Sequence, residues 1–214
     1  TDAAGNTATA TDTLTLDTVA NEVPSVTIDA VSSDTDDADT SDFVTNQSSV
    51  TVTGTLSASL AAGQTVEYSV DGGANWTTLA ESGISGTSLS FAEIDATTAP
   101  SIQVRVVDAA GNAGSTVVQA LSYDGTAPSV SITSTAGAIT TSNAGSVTIS
   151  GTAEAGASIQ LALAGTDISG ATATADANGH WSVATVDVSA FGALTATATD
   201  AAGNTGTSSA VTYT

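Results

Sequence analysis

The sequence predicts an all-β protein built from antiparallel β-sandwiches in tandem, and three observations lead to this fold class. First, the pentapeptide Asp-Ala-Ala-Gly-Asn occurs three times, beginning at Asp2, Asp108 and Asp200. These copies begin 106 and 92 residues apart, which is the spacing of repeated domains of about 100 residues. Second, apolar and polar residues alternate over short runs that Gly, Asn, Asp or Pro interrupt. Third, no segment shows the 3.6-residue apolar stripe of an amphipathic helix.

The repeats divide the chain into three parts. Residues 1–20 are interpreted as the C-terminal strand and linker of a preceding domain, residues 21–123 as a first complete unit and residues 124–214 as a second. In the first unit, period-two alternation predicts strands at residues 26–28, 50–52, 66–70, 89–91, 102–106 and 117–121. In the second, it predicts strands at residues 130–132, 147–149, 159–163, 171–175, 181–186, 194–199 and 211–213. About seven short strands in about 100 residues are typical of a sandwich.

Two tryptophans, Trp76 and Trp181, each follow a Gly- and Asn-containing turn. Asn178-Gly179 before Trp181 is a strong signal for a β-hairpin. We interpret both indoles as anchors of the hydrophobic cores, because large aromatic side chains gain most from burial.

Residues 7–16 alternate like a strand but lack the rest of their domain. A single strand is not stable alone. Two interpretations of this part of residues 1–20 stay open: it is a truncated end that trails from the chain, or it pairs with the sheet edge of a neighbouring molecule.

The composition restricts the partners. The chain has 22 acidic residues against one Arg and no Lys, a net charge of −21, and no Cys. Nucleic acid binding needs basic side chains that release counterions, so nucleic acid is excluded; anionic membrane surfaces are disfavoured for the same reason. No apolar run reaches the length of a membrane span, so no membrane insertion is expected. A hydrophobic fraction of 41% argues for folded domains rather than disorder.

Several motifs resemble one protein family. They lie at residues 199–204, 151–157, 175–181 and 124–128 of the second unit, and at residues 42–45, 52–54 and 71–76 of the first. Together they resemble the bacterial Ig-like domains that form arrays in giant surface adhesins and biofilm-associated proteins, including repeats-in-toxin adhesins exported by type I secretion. The resemblance implies tandem Ig-like sandwiches, an extracellular location on the bacterial cell surface, and an extender role in which neighbouring repeats of the chain are the partners. In that family, calcium at the junctions stiffens the array.

Strand order places the repeated pentapeptide beside a linker. In a seven-strand sandwich, the loop before the last strand lies at the end where the chain enters, so Asp108 should approach Asp17, and Asp200 should approach Asp124. The loop that holds Glu154 shares that end, and the acidic run between Asp34 and Asp42 is assigned to the opposite end of the first unit, toward the second junction. Converging carboxylates repel one another. A calcium ion with six to eight oxygen ligands would make the net interaction among them attractive.

The sequence therefore predicts calcium as the cofactor, although Asp, Asn and Gly also simply favour turns. The predicted ligands at the junctions are Asp17, Asp108, Asn112, Asp124, Glu154, Asp200 and Asn204. Weaker candidates are Asp2, Asp34, Asp36, Asp37, Asp39 and Asp42. No EF-hand spacing is present.

Enzymatic activity is not expected. Residues 69–76 fit a hairpin motif found in sialidases, but those enzymes bind substrate with several arginines and this chain has only Arg105. A Ser-His-Asp triad would depend on His180, which lies at a hairpin turn, and the carboxylates lack the apolar context of a glycosidase acid. The function predicted is a stalk segment that projects a distal adhesive domain in cell adhesion or biofilm formation. The alternatives are a module that binds a glycan or protein through its loops, and a self-assembling surface filament or layer.

Overall fold

The computed structural model describes residues 1–214 except 2, 8, 10–15, 21, 22, 33–41, 136–138, 140, 141, 191 and 214. The predicted all-β class is confirmed: within the described residues the helical structure is limited to a 3-10 turn at Glu81–Gly83. The strands, in chain order, are β1 Val26–Val31, β2 Val44–Thr45, β3 Ser49–Leu56, β4 Thr65–Ser69, β5 Thr77–Thr78, β6 Ile84–Ser85, β7 Ser88–Asp95, β8 Ser101–Val107, β9 Val117–Ala120, β10 Ser122–Tyr123, β11 Val130–Thr135, β12 Val147–Ala153, β13 Ser158–Leu163, β14 Thr166–Thr174, β15 His180–Val186, β16 Gly192–Thr199, β17 Thr205–Thr207 and β18 Val211–Tyr213. No described helix is long and apolar enough to cross a membrane.

Strands β1 to β10 form two main sheets and one short pair. One sheet has the order β1-β3-β7-β6 and the other β5-β4-β8-β9, and the pairs within both are antiparallel. Val50, Val52 and Phe91 of the first sheet are buried against Val66 and Ile102 of the second in one hydrophobic cluster. This arrangement is a sandwich.

The short pair, β2 with β10, is parallel, with Val44 opposite Ser122 and Thr45 opposite Tyr123. It is separate from the pairing of β1 with β3. Asp124, the first residue of the following linker, comes directly after β10.

Strands β11 to β18 repeat the plan. One sheet has the order β11-β12-β15, and the other contains β14-β13-β16 with β17 and β18 both paired to β16. A second hydrophobic cluster, around Ile149, Leu161, Trp181 and Leu194, lies between them. Trp181 packs against its cross-strand partner Gly151, where any Cβ would overlap the indole ring.

The sequence predicted the long strands and missed the shortest. Strands β2, β5, β6 and β10 have two residues each, too few for a period-two pattern to be visible. The predicted strand at residues 171–175 is instead β14, Thr166–Thr174. It begins earlier because Gly170, at φ 74°, lies in a bulge within it.

Candidate functional site at the junctions

The loop from Asp108 to Asn112 closes on itself through hydrogen bonds. The Asp108 Oδ1 atom accepts the N–H groups of Ala110 and Asn112, both at 2.9 Å, and Oδ2 accepts the Asn112 side-chain amide at 2.9 Å. The main chain is paired as well, with the Asp108 N–H donating to Asn112 O at 3.0 Å. Gly111 adopts φ +92°, a conformation that costs glycine little. The pentapeptide is therefore a compact turn whose carboxylate is already satisfied.

These contacts change the acidity of the carboxylate. The Asn112 amide contributes most, followed by the Asn112 main-chain N–H, and together they hold the pKa of Asp108 below its ordinary value. Hydrogen bonds to the charged form favour it. Asp108 therefore stays an anion to lower pH than an ordinary aspartate does.

The loop from Asp200 to Asn204 has the same geometry. Asp200 Oδ1 accepts the Asn204 N–H at 2.8 Å, and Oδ2 accepts the Asn204 side-chain amide at 3.0 Å. The Asp200 N–H donates to Asn204 O at 3.1 Å, and Gly203 adopts φ +80°. Two copies separated by 92 residues thus build one local structure.

In both copies the asparagine also reaches the linker that precedes its unit. Asn112 Nδ2 donates to the main-chain oxygen of Asp17 at 3.4 Å, and Asn204 Nδ2 donates to that of Asp124 at 2.8 Å. Each linker aspartate in turn accepts a main-chain N–H two residues ahead, Val19 on Asp17 and Thr126 on Asp124. The two junctions are therefore equivalent in their contacts, and the second is the tighter.

Asp124 is bound to both units. Its N–H donates to Thr45 O at 3.0 Å, continuing the parallel pairing of β10 with β2. Its carbonyl oxygen accepts Asn204 of the second unit. The N–H and the carbonyl oxygen of Asp124 thus connect the first sandwich to the second.

Two glycines that follow the pentapeptide loops allow each linker to pack closely against the chain after its loop. A Cβ on Gly114 would lie 2.6 Å from Val23 Cγ2, and a Cβ on Gly206 would overlap the carbonyl oxygen of Pro128. Both glycines stand two residues after the asparagine of the pentapeptide. The close approach requires a residue without a side chain at each position.

The other predicted ligands are placed as follows. The Glu154 N–H donates to Ser129 O of the linker at 3.3 Å, while its side chain is exposed. Asp42 Oδ1 accepts the Val44 N–H at 2.9 Å, just before β2, and its predicted role at the second junction stays a prediction. Asp2, Asp34, Asp36, Asp37 and Asp39 lie outside the described residues.

The oxygen donors at the second junction are of the kind that calcium takes. They are the carboxylates of Asp124 and Asp200, the Asp124 carbonyl and the side-chain oxygen of Asn204, all hard ligands. Among the described residues, no group of three or more His, Cys, Asp or Glu side chains is placed to hold a metal ion. A calcium ion here would therefore rely on carbonyl, amide and water oxygens beside the two carboxylates.

A polar cluster lies on the outer face of the first unit, and sequence reasoning missed the part that Trp76 takes in it. The Arg105 guanidinium lies 3.9 Å from the Trp76 ring centroid and 2.7 Å from Glu67 Oε2. Trp76 is half-buried outside the hydrophobic cluster, so its predicted role as a core anchor is wrong, whereas Trp181 is buried in the core as predicted. One sequence signal could have indicated this cluster. Glu67 and Arg105 occupy the outward-facing positions of their alternating strands, and they are cross-strand partners on β4 and β8.

Comparison with known proteins gives a family match for the C-terminal part of the chain. The family model described as bacterial Ig domain matches residues 130–214, and this match confirms the predicted resemblance for that part of the chain. A search of curated proteins finds no match.

Three of the similar solved structures are from adhesion or biofilm proteins. One comes from a 1.5-MDa bacterial ice-binding adhesin, studied for its retention at the host cell surface: identity is 30%, coverage is 88% of this chain and 63% of that chain, and the TM-score is 0.41. A tetra-tandem repeat from the extending region of a large adhesion protein has 23% identity, coverage of 87% and 49%, and a TM-score of 0.32. The BSP domain of a biofilm associated protein has 17% identity, coverage of 80% and 28%, and a TM-score of 0.30. This chain thus spans less than two thirds of each, and at these TM-scores none of the likenesses establishes how its units are arranged.

Proposed function

We propose that this chain is an extender segment of a bacterial surface adhesin, in which tandem Ig-like units hold a distal adhesive part away from the cell. The observation that carries the proposal is the repeated junction contact: Asn112 with Asp17, and Asn204 with Asp124. A chain that builds the same contact at successive units is organised to control how each unit follows the last. That control is what a spacer requires.

Two further properties favour a mechanical role over a catalytic one. The large apolar side chains are mostly enclosed in the two cores, and the match of residues 130–214 is to a bacterial Ig domain. Strands of eight residues, such as β3, extend about 26 Å, so each unit with its loops would add about 40 Å of reach. We place the segment outside the cell, at the bacterial surface.

We further propose that calcium stiffens the junctions. Asp124, Asp200 and Asn204 would hold the ion at the second junction, and Asp17, Asp108 and Asn112 at the first, with Glu154 able to contribute at the second. The ion would supply positive charge among carboxylates that otherwise repel one another in a chain of net charge −21. Each ion would then remove freedom of rotation between neighbouring units.

Small-angle scattering and thermal melting test the calcium proposal. In millimolar calcium the radius of gyration should be larger and better defined than in EDTA. The melting temperature should also rise, because a ligand at 100 times its Kd adds about 2.7 kcal/mol to the stability of the state that binds it. Magnesium at the same concentration is the ionic-strength control.

The variant Asp200→Asn should abolish the part of the calcium response that comes from the second junction. Asp167→Asn, on the exposed start of β14, should leave the response intact. Identical scattering curves and melting temperatures in calcium and EDTA would refute the calcium proposal.

A further inference from the structure

We propose that Asn204 holds the second junction without any metal, as an amide donor that joins Asp200 of its own loop to the linker carbonyl of Asp124, and that Asn112 does the same for Asp17. This inference rests on the proposed function, since it assigns the residue that sets the orientation of one unit on the next. It applies to the metal-free protein, whereas the calcium proposal applies to the calcium-bound protein.

The chemistry of the amide fixes its orientation. Asn204 Nδ2 carries two N–H groups, and two acceptors meet it: Asp200 Oδ2 at 3.0 Å and Asp124 O at 2.8 Å. Neither a carboxylate nor a carbonyl oxygen can donate a hydrogen bond. A rotated amide would therefore set its own oxygen against two acceptors, so the nitrogen must face them.

Both acceptors are held in place by contacts other than the Asn204 side-chain amide. Asp200 is part of the closed loop, where its other oxygen accepts the Asn204 main-chain N–H at 2.8 Å. Asp124 is fixed to the first unit by its N–H bond to Thr45 O, and its side chain accepts the Thr126 N–H. The amide thus bridges two positioned groups, one fixed to the first unit and one in a loop of the second, and this preorganisation keeps the entropic cost of the contact low.

Calcium would require the opposite orientation of the same side chain. An asparagine that binds calcium presents its oxygen, whereas the contact seen here uses the nitrogen. The substitution Asn204→Asp separates the two roles. An aspartate has no N–H to donate and would face Asp200 and the Asp124 carbonyl, yet it would be a stronger calcium ligand.

Distance measurements between spin labels in the two units test the inference. The chain has no Cys, so Ser88→Cys on β7 and Ser182→Cys on β15, both exposed, give unique attachment sites. In EDTA the parent should give a narrow distance distribution. Asn204→Ala should broaden it, with a roughly fivefold fall in the ratio of docked to undocked junctions, as expected for the loss of one hydrogen bond. Asn204→Asp should broaden it in EDTA at least as much.

The matched control is Asn178→Ala. Asn178 lies in a similar Asp-led turn of the second unit, but its contact there is through the main-chain N–H, so its removal should leave the distribution narrow. Asn204→Ala keeps the main-chain N–H that closes the loop, and circular dichroism confirms that each variant is folded.

A parent that is already broad in EDTA, or an Asn204→Ala variant as narrow as the parent, would overturn the inference. Calcium added to the same samples keeps the two proposals distinguishable. If the parent is narrow in EDTA and unchanged by calcium while Asn204→Ala is broad, the asparagine contact stands and the calcium proposal fails. If the parent is broad in EDTA and narrows in calcium, the calcium proposal stands and the asparagine inference fails.

Discussion

Thr185 and Glu93 occupy the same position in the two units, and both adopt a left-handed backbone at φ 57°. Each lies in a bulge, where the register shifts between Val147 and Ile149 on β12 and between Val50 and Val52 on β3. For a β-branched residue such as Thr185 this conformation is an outlier. The bulge is thus a shared feature of both units, and glycine would adopt its left-handed backbone with less strain than Thr185 does.

Replacing Thr185 with glycine should stabilise the second unit. A left-handed backbone costs an L-residue about 1–2 kcal/mol, while glycine in a strand loses about 0.5–1 kcal/mol, so the expected net gain is about 0.5–1 kcal/mol. Urea unfolding measures the change. Thr172→Gly, at an exposed position of β14 with ordinary backbone, should instead lower the stability, and equal losses in the two variants would show that the strain argument is mistaken.

The tryptophans show what residue-level patterns can and cannot predict. Both follow similar turns, and alternation correctly predicts the burial of Trp181 among core strands. Its indole N–H is buried with no hydrogen-bond partner, a cost that the packing over Gly151 must exceed. Trp76 leads into the two-residue edge strand β5, too short to carry it inward, and its contact with Arg105 depends on a pairing between distant strands that no local pattern contains.

At the scale of elements, the contact between β17 and the linker depends on Gly206. An alanine there would place its Cβ against the Pro128 carbonyl oxygen, which is main chain and cannot rotate away. Gly206→Ala should therefore cost about 1–3 kcal/mol, the usual penalty for overpacking, and should speed amide hydrogen exchange in β17 and the linker.

Gly145→Ala is the control for Gly206→Ala. A Cβ at Gly145 would meet nothing within 4 Å, and its backbone is not left-handed, so the substitution should be neutral or slightly stabilising. If Gly206→Ala behaved like Gly145→Ala in exchange and in unfolding, the linker would not be seated on this glycine.

Element order explains which part of the site could be foreseen. Strand parity alone sets the Asp108 and Asp200 loops beside the linkers, and the structure brings them together. Parity also assigned the acidic run between Asp34 and Asp42 to the second junction, and this assignment stays a prediction because residues 33–41 lie outside the described residues. The donor role of Asn204 could not be foreseen, since its amide orientation is set by two acceptors, one fixed to the first unit and one in a loop of the second.

At the scale of the whole molecule, and among the residues that the structure describes, aspartates in turns of both units share lowered pKa values: Asp71, Asp95, Asp108, Asp176 and Asp187. Nearby N–H and O–H donors cause the shifts. For Asp71 the main-chain N–H of Asn75 contributes most and brings the pKa to about 2, from an ordinary value of 3.8. These side chains favour the folded state only while they are charged.

The chain should therefore lose stability in acid. A group whose pKa is depressed by folding contributes fully above its unfolded value, and the contribution disappears as pH falls through the folded value. The window runs from about pH 4 down to about pH 2. Protonation also reduces the repulsion of a chain with net charge −21, which acts in the opposite direction. Because the hydrogen bonds are local and recur in both units, we expect their loss to dominate.

Urea midpoints measured at about pH 6, 4 and 2.5 should fall steeply only between the last two. Asp71→Asn should unfold at lower urea than the parent at neutral pH and show a shallower acid dependence, because it removes the group with the largest shift. Asp167→Asn, on the exposed edge strand β14, should follow the parent. Midpoints that stay constant, or rise, between pH 4 and 2.5 would mean that charge repulsion, and not the closed turns, controls the acid response of the molecule.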